Sequence, residues 1–129
     1  MIKLNKVHHV AIICSNYEES KAFYIDLLGF KIMNEIYRKG RQSYKLELSL
    51  NGLYVIELFS FPNPPKRISG PEAVGLRHLA FEVDDFNLTL KVLKRKGVKV
   101  EEVRIDNIKN KRFTFIFDPD NLPIELVEK

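Results

Sequence analysis

With 129 residues, 45% of them hydrophobic, the chain is sized for one compact domain, and half of it would be marginal alone. The net charge of +4 raises the question of nucleic acid, but basic residues are interleaved with acids, as where Lys94-Arg95-Lys96 is followed by Glu101-Glu102, so solvated surface charge and no nucleic-acid partner are expected. No apolar run nears the roughly 20 residues of a membrane span, and Met1 to Lys6 lacks a signal peptide's apolar stretch, so a cytoplasmic protein without a membrane partner is expected.

The first element is an apolar run over 7–14, of strand length. Alternation places Val10, Ile12 and Cys14 on one face and His9, Ala11 and Ile13 on the other. Cys14 is the only cysteine, which excludes an intramolecular disulfide and reads as a small buried hydrophobe. Ser15 and Glu18 have the spacing of a capping box. The helix they open carries Tyr17, Tyr24, Leu27 and Leu28 on one side and stops at Gly29, a residue free to adopt the left-handed end conformation. Strands are expected over 30–37, 44–50 and 53–59, with Asn51-Gly52 as a two-residue hairpin turn.

A proline-rich segment over 61–71 then interrupts the pattern, because proline cannot donate to a strand ladder. The second half restarts it: a strand over 77–83, a helix capped by Asp84 or Asp85 and closed by Gly97, and strands over 98–105, 111–117 and 122–127. Strand, helix and three strands therefore occur twice. The expected fold is α+β, two βαβββ modules over 1–61 and 75–129 joined by a linker over 62–74.

The repeat extends to residues that carry chemistry. His9-Val10-Ala11-Ile12 is answered by His78-Leu79-Ala80-Phe81, and Ile56-Glu57-Leu58 by Ile124-Glu125-Leu126. The step from His to Glu is 48 residues in the first half and 47 in the second. In each Ile-Glu-Leu step the flanking aliphatics belong to the core, so the period of two sends the carboxylate to the opposite face. The same parity sends His9 and His78 to that face and selects His9 over His8, whose counterpart is Arg77. Two imidazoles and two carboxylates, His9, Glu57, His78 and Glu125, are thus candidate ligands of one divalent ion. Zn or Ni is the leading expectation, with Fe, Co and Mn also suited to N/O ligation. The competing explanation is that duplication alone reproduced the residues, but ionisable groups facing inward are costly without a partner. Arg38, Arg41, Lys45 and Arg77 could contact an anion, although surface positions are expected for each.

These residues resemble a known family over nearly the whole chain. His8-His9-Val10-Ala11-Ile12, the helix end Phe23-Tyr24-Ile25-Asp26-Leu27-Leu28-Gly29-Phe30, Ile56-Glu57-Leu58, Arg77-His78-Leu79-Ala80-Phe81 and Asp118-Pro119-Asp120 with Ile124-Glu125-Leu126 are similar to the vicinal oxygen chelate superfamily, and within it to glyoxalase I (lactoylglutathione lyase)-like proteins. The resemblance implies paired βαβββ modules in a half-open barrel around a metal, with His9, Glu57, His78 and Glu125 as ligands. It also implies a homodimer, in which His9 and Glu57 of one chain meet His78 and Glu125 of another. The implied activity is isomerisation of a hemithioacetal of methylglyoxal and a thiol, or of a related small oxygen-chelating substrate. The metal would stabilise an enediolate, with Glu125 as the base that moves the proton and Glu57 as the second candidate. Similar proteins of this type carry an Arg four residues after the first metal His; here Ile13 stands there and cannot pair with glutathione's carboxylate. The alternatives within the scaffold are a methylmalonyl-CoA epimerase-like or dioxygenase-like enzyme, and a metal-free binding protein that sequesters a small molecule such as an antibiotic.

Overall fold

A computed structural model describes residues 1–129. It divides into two compact units, Met1–Lys66 and Arg67–Lys129, and each is a βαβββ module with one open four-stranded sheet. No helix is long and apolar enough to cross a membrane.

In the first unit, β1 (Val10–Cys14) leads into α1 (Tyr17–Ala22), whose last turns continue as a π-helix over Phe23–Leu27. Three strands follow: β2 (Lys31–Arg38), β3 (Ser43–Leu50) and β4 (Leu53–Ser60), in the sheet order β1-β4-β3-β2. β1 runs parallel to β4, with Ala11 opposite Glu57 and Ile13 opposite Phe59. A parallel neighbour requires a crossover, and here the helix provides it. Ile12, Cys14, Leu46, Leu48, Ile56 and Leu58 are buried with Tyr17, Ser20 and Tyr24 of the helical segment, so the helix covers one face and leaves the other open. Asn51 and Gly52 have φ of 51° and 81°, the pair of positive values that a type I′ hairpin requires.

The second unit repeats this order with β5 (Leu79–Val83), α2 (Phe86–Arg95), β6 (Arg104–Asp106), β7 (Lys111–Phe117) and β8 (Pro123–Glu128). The sheet order is β5-β8-β7-β6, and β5 runs parallel to β8 with Ala80 opposite Glu125. Phe86, Leu93, Thr114, Ile116, Leu122, Ile124 and Leu126 form its buried side. The expected pair of βαβββ modules is therefore the fold of this chain.

Three local expectations are corrected. The cap of α1 is Asn16, not Ser15: Asn16 is extended at φ −124°, and its side-chain oxygen accepts from the Glu19 N–H at 3.1 Å. An Asn side chain satisfies that free donor as well as a Ser would. In α2 the choice between two aspartates falls on Asp85, which accepts from the Leu88 N–H at 2.9 Å. The strand expected over 98–105 shrinks to Arg104–Asp106. Ahead of it the chain is tied by two contacts, Glu101 N–H to the Phe115 carbonyl at 3.0 Å and Thr114 Oγ1 to the Glu101 carbonyl at 2.7 Å, which is too few for a ladder.

Candidate metal and substrate site

Both candidate histidines stand one residue before a strand. β1 starts at Val10 and β5 at Leu79, so His9 and His78 lie at the mouth of each parallel pair. Each histidine lies two residues before Ala11 or Ala80, the register partners of Glu57 and Glu125, and its ring reaches that carboxylate. The alternation argument holds at the carboxylates: Ile56, Leu58 and Ile124 are fully buried and Leu126 nearly so, whereas the side chains of Glu57 and Glu125 retain 14% and 19% exposure.

The structure brings these residues together in pairs. His9 Nε2 lies 3.6 Å from Glu57 Oε1, and His78 Nε2 lies 3.3 Å from Glu125 Oε2. Both separations exceed the usual 2.7–3.2 Å of an N–H···O hydrogen bond. They suit two atoms bonded to one ion: donors about 2.1 Å from a metal, at roughly 90–120° to each other, stand about 3.0–3.6 Å apart. Imidazole nitrogen with carboxylate oxygen is also a donor chemistry suited to Zn, Ni, Fe, Co or Mn. The residues fit a divalent metal on these two counts. No group of three or more such side chains is gathered in the chain, and the four candidates are brought together only as His9 with Glu57 and His78 with Glu125.

The two pairs have different surroundings. Glu57 is anchored: the Tyr54 hydroxyl donates to its Oε2 at 3.0 Å, and Lys45 Nζ lies 3.6 Å from the same oxygen. Burial, and then the bond to Glu57, hold the Tyr54 hydroxyl well above the usual tyrosine range. The Tyr54 ring also stacks on His9, with centroids 4.9 Å apart and planes 11° from parallel. His9 Nδ1 meets His8 Nδ1 at 2.7 Å. With His9 as the donor of that bond, its Nε2 lone pair points toward Glu57, the tautomer a metal ligand needs. The expectation that a regular strand would separate His8 from His9 does not apply, because both precede β1. Glu125, by contrast, has His78 as its sole polar partner. His78 Nδ1 lies 3.1 Å from Arg77 Nη1; a guanidinium only donates, so Nδ1 accepts and the imidazole proton sits on Nε2. For Nε2 to hold a metal, that proton must move to Nδ1 and Arg77 must turn away.

Several neighbours were not legible as functional residues. Tyr54 reads only as a strand residue, and Lys45 and Arg77 read as surface charges, yet all three touch the pairs. Glu47 stands directly opposite Glu57 on β3 and accepts from Asn34 Nδ2 at 3.3 Å. Its place was recoverable, since Lys45, Glu47 and Ser49 alternate with buried Leu46 and Leu48. Ile13 is 55% exposed and shares the face that carries Glu57. On that face Phe59 lies beneath the Arg38 guanidinium, 4.9 Å from the ring centre.

Comparison with known proteins bears on the family and the fold. The family model described as the Glyoxalase/Bleomycin resistance protein/Dioxygenase superfamily matches residues 6–126. The chain is 59% identical over 126 residues to YwkD of Bacillus subtilis (strain 168), covering 98% of each chain, and 57% identical over 129 residues to YaeR of Escherichia coli (strain K12), covering 100% of each. Among solved structures, the glyoxalase family protein from Enterococcus faecalis is similar at 43% identity with a TM-score of 0.87, over 95% of this chain and 97% of that one.

Proposed function

Because the chain belongs to the Glyoxalase/Bleomycin resistance protein/Dioxygenase superfamily, we propose that it is a divalent-metal-dependent lyase or isomerase of the glyoxalase I type. Its substrate is a small molecule that presents two oxygens, such as the hemithioacetal of methylglyoxal and a thiol. The observation that carries this reading is the duplicated His–Glu pair, with nitrogen and oxygen 3.6 Å and 3.3 Å apart on the uncovered face of each sheet. His9, Glu57, His78 and Glu125 hold the ion, with one pair supplied by each of two copies of the chain in a homodimer. A bound divalent ion supplies Lewis-acid polarisation of the substrate's oxygens.

The rest of the chemistry follows from the chain's own side chains. Glu57 is held in position by Tyr54 and Lys45, which suits a permanent ligand. Glu125 has no comparable anchor, so its carboxylate is free to take a proton from one substrate carbon and return it to the adjacent carbon. Glu125 is therefore assigned as the base and Glu57 as the alternative. Ile13, exposed on the first unit's open face, offers no charge to glutathione's carboxylate, which favours a different thiol.

Metal analysis of the purified protein, followed by assay of methylglyoxal with a panel of thiols, tests this reading. The expected result is about one divalent ion per chain, bound at four ligands per site, and a thioester product with at least one thiol. A chain that takes up neither Zn nor Ni refutes the metal reading. Full metal occupancy without turnover of any hemithioacetal removes the glyoxalase assignment.

A further inference from the structure

Within the second unit a cleft of about 220 Å³ lies beside the His78–Glu125 pair, with Phe115 and Phe117 in its wall and Arg67, Arg77 and Arg104 around it. Phe115 joins it to the pair: this residue is the register partner of Glu125, and its ring stands edge-on to His78 with centroids 5.3 Å apart. The volume is below the roughly 300–1,000 Å³ of a complete ligand pocket, so the cleft receives part of a molecule rather than all of it.

The charges around it do not cancel. Glu101 is paired with Arg104 at 3.3 Å. Glu72 is the only other acid in the wall, against two remaining arginines, and neither of those is in an ion pair. Arg67 is committed to backbone and hydroxyl: its Nη2 donates to the Leu76 and Arg77 carbonyls at 2.6 Å and 2.9 Å, and its Nε to Ser69 Oγ at 2.9 Å. It thereby clips the chain at Arg77 and adds positive charge. Arg77 itself is exposed and spends one N–H on His78 Nδ1, leaving donors in the fork geometry that matches an oxyanion.

We propose that this cleft is an oxyanion-binding subsite, in which Arg77 binds a carboxylate or phosphate group of the substrate while the rings of Phe115 and Phe117 pack against its flat apolar part. Resting on the metal reading above, this narrows the substrate to an anion with an apolar body.

The test uses the full-length protein stripped of metal, titrated with phenyl phosphate, benzoate and benzyl alcohol and followed by NMR shifts of the Arg77, Phe115 and Phe117 signals. Phenyl phosphate and benzoate are expected to bind more tightly than neutral benzyl alcohol, with affinity that falls as salt rises; the ratio of the two anions separates a phosphate from a carboxylate ligand. Arg77→Ala should weaken phenyl phosphate about tenfold, while Lys91→Ala, an equal charge loss on α2, should leave it unchanged. Zn titration of Arg77→Ala at wild-type affinity or tighter shows that the variant is folded. Equal phenyl phosphate affinity in wild type and Arg77→Ala, or benzyl alcohol binding as tightly as the anions, overturns the proposal. Failure of wild type to bind Zn would sink the metal reading alone, since the anion titration is done without metal.

Discussion

Tyr54→Phe isolates a single oxygen atom of the first His–Glu pair. The ring that stacks on His9 at 4.9 Å is retained, and what is lost is the 3.0 Å bond from the hydroxyl to Glu57 Oε2. Hydrogen bonds to charged groups contribute about 1.5–3 kcal/mol. The Glu57 side chain keeps 14% of its exposure and a lysine at 3.6 Å, so water and Lys45 recover part of that, and the lower end, about 1.5 kcal/mol, is the working figure. That corresponds to roughly a tenfold loss in metal affinity, at the modest end of the 10–100-fold found when a group that orients a metal ligand is removed. Competition titration against a chromophoric Zn chelator reads it directly, with wild type, Tyr54→Phe and Glu57→Gln side by side. Glu57→Gln, which removes a proposed ligand, should be the weaker binder of the two variants. Tyr54→Phe binding Zn as tightly as wild type would refute the claim that Tyr54 fixes the Glu57 carboxylate for the ion.

Strand parity predicts opposite phenotypes for adjacent residues: Ile124→Ala, at a fully buried position, should cost about 2–5 kcal/mol in denaturant unfolding, whereas Glu125→Gln should unfold like wild type yet lose metal and turnover. Asp85→Ala leaves the Leu88 N–H without its 2.9 Å partner and should destabilise the protein by about 1 kcal/mol, read as a melting point lower by a few degrees. Glu128 is held below its ordinary value of 4.5, first by the Arg112 guanidinium and then by the Arg112 backbone N–H. A lowered carboxylate favours the folded state above the unfolded value and loses that contribution as pH falls through the folded value. The stability gap between wild type and Glu128→Gln should therefore be present at neutral pH and close below about pH 4; a gap that widens in acid would contradict this assignment.

Much of the fold was legible because it rests on periodicities that survive any tertiary arrangement. Alternation in Ile56-Glu57-Leu58 and Ile124-Glu125-Leu126 sorted core from ligand face, and Asn51-Gly52 marked its hairpin through the positive φ values that few other pairs tolerate. That His9 and Glu57, and His78 and Glu125, share a face was legible for the same reason, whereas their grouping into pairs was implied by the family resemblance. Boundaries were less so. Asn16 displaced Ser15 at the α1 cap because neighbouring residues were equally able to accept from a free N–H, and only the folded backbone shows which of them stands at the cap.

The surroundings of each pair required tertiary structure. Nothing in a one-dimensional pattern says that the Tyr54 hydroxyl, three residues before Glu57, turns toward its carboxylate while Glu125 is left with His78 alone. Nor does it say that Arg77 caps His78 or that Phe115 links that pair to a cleft. The amino-acid sequence by itself determined which residues are repeated and which face they share, since both follow from chain spacing and the two-residue pleat. Register between strands and side-chain rotamers, which depend on contacts distant in the chain, decided that one carboxylate is anchored and the other free. They also decided that an arginine stands ready beside the second pair.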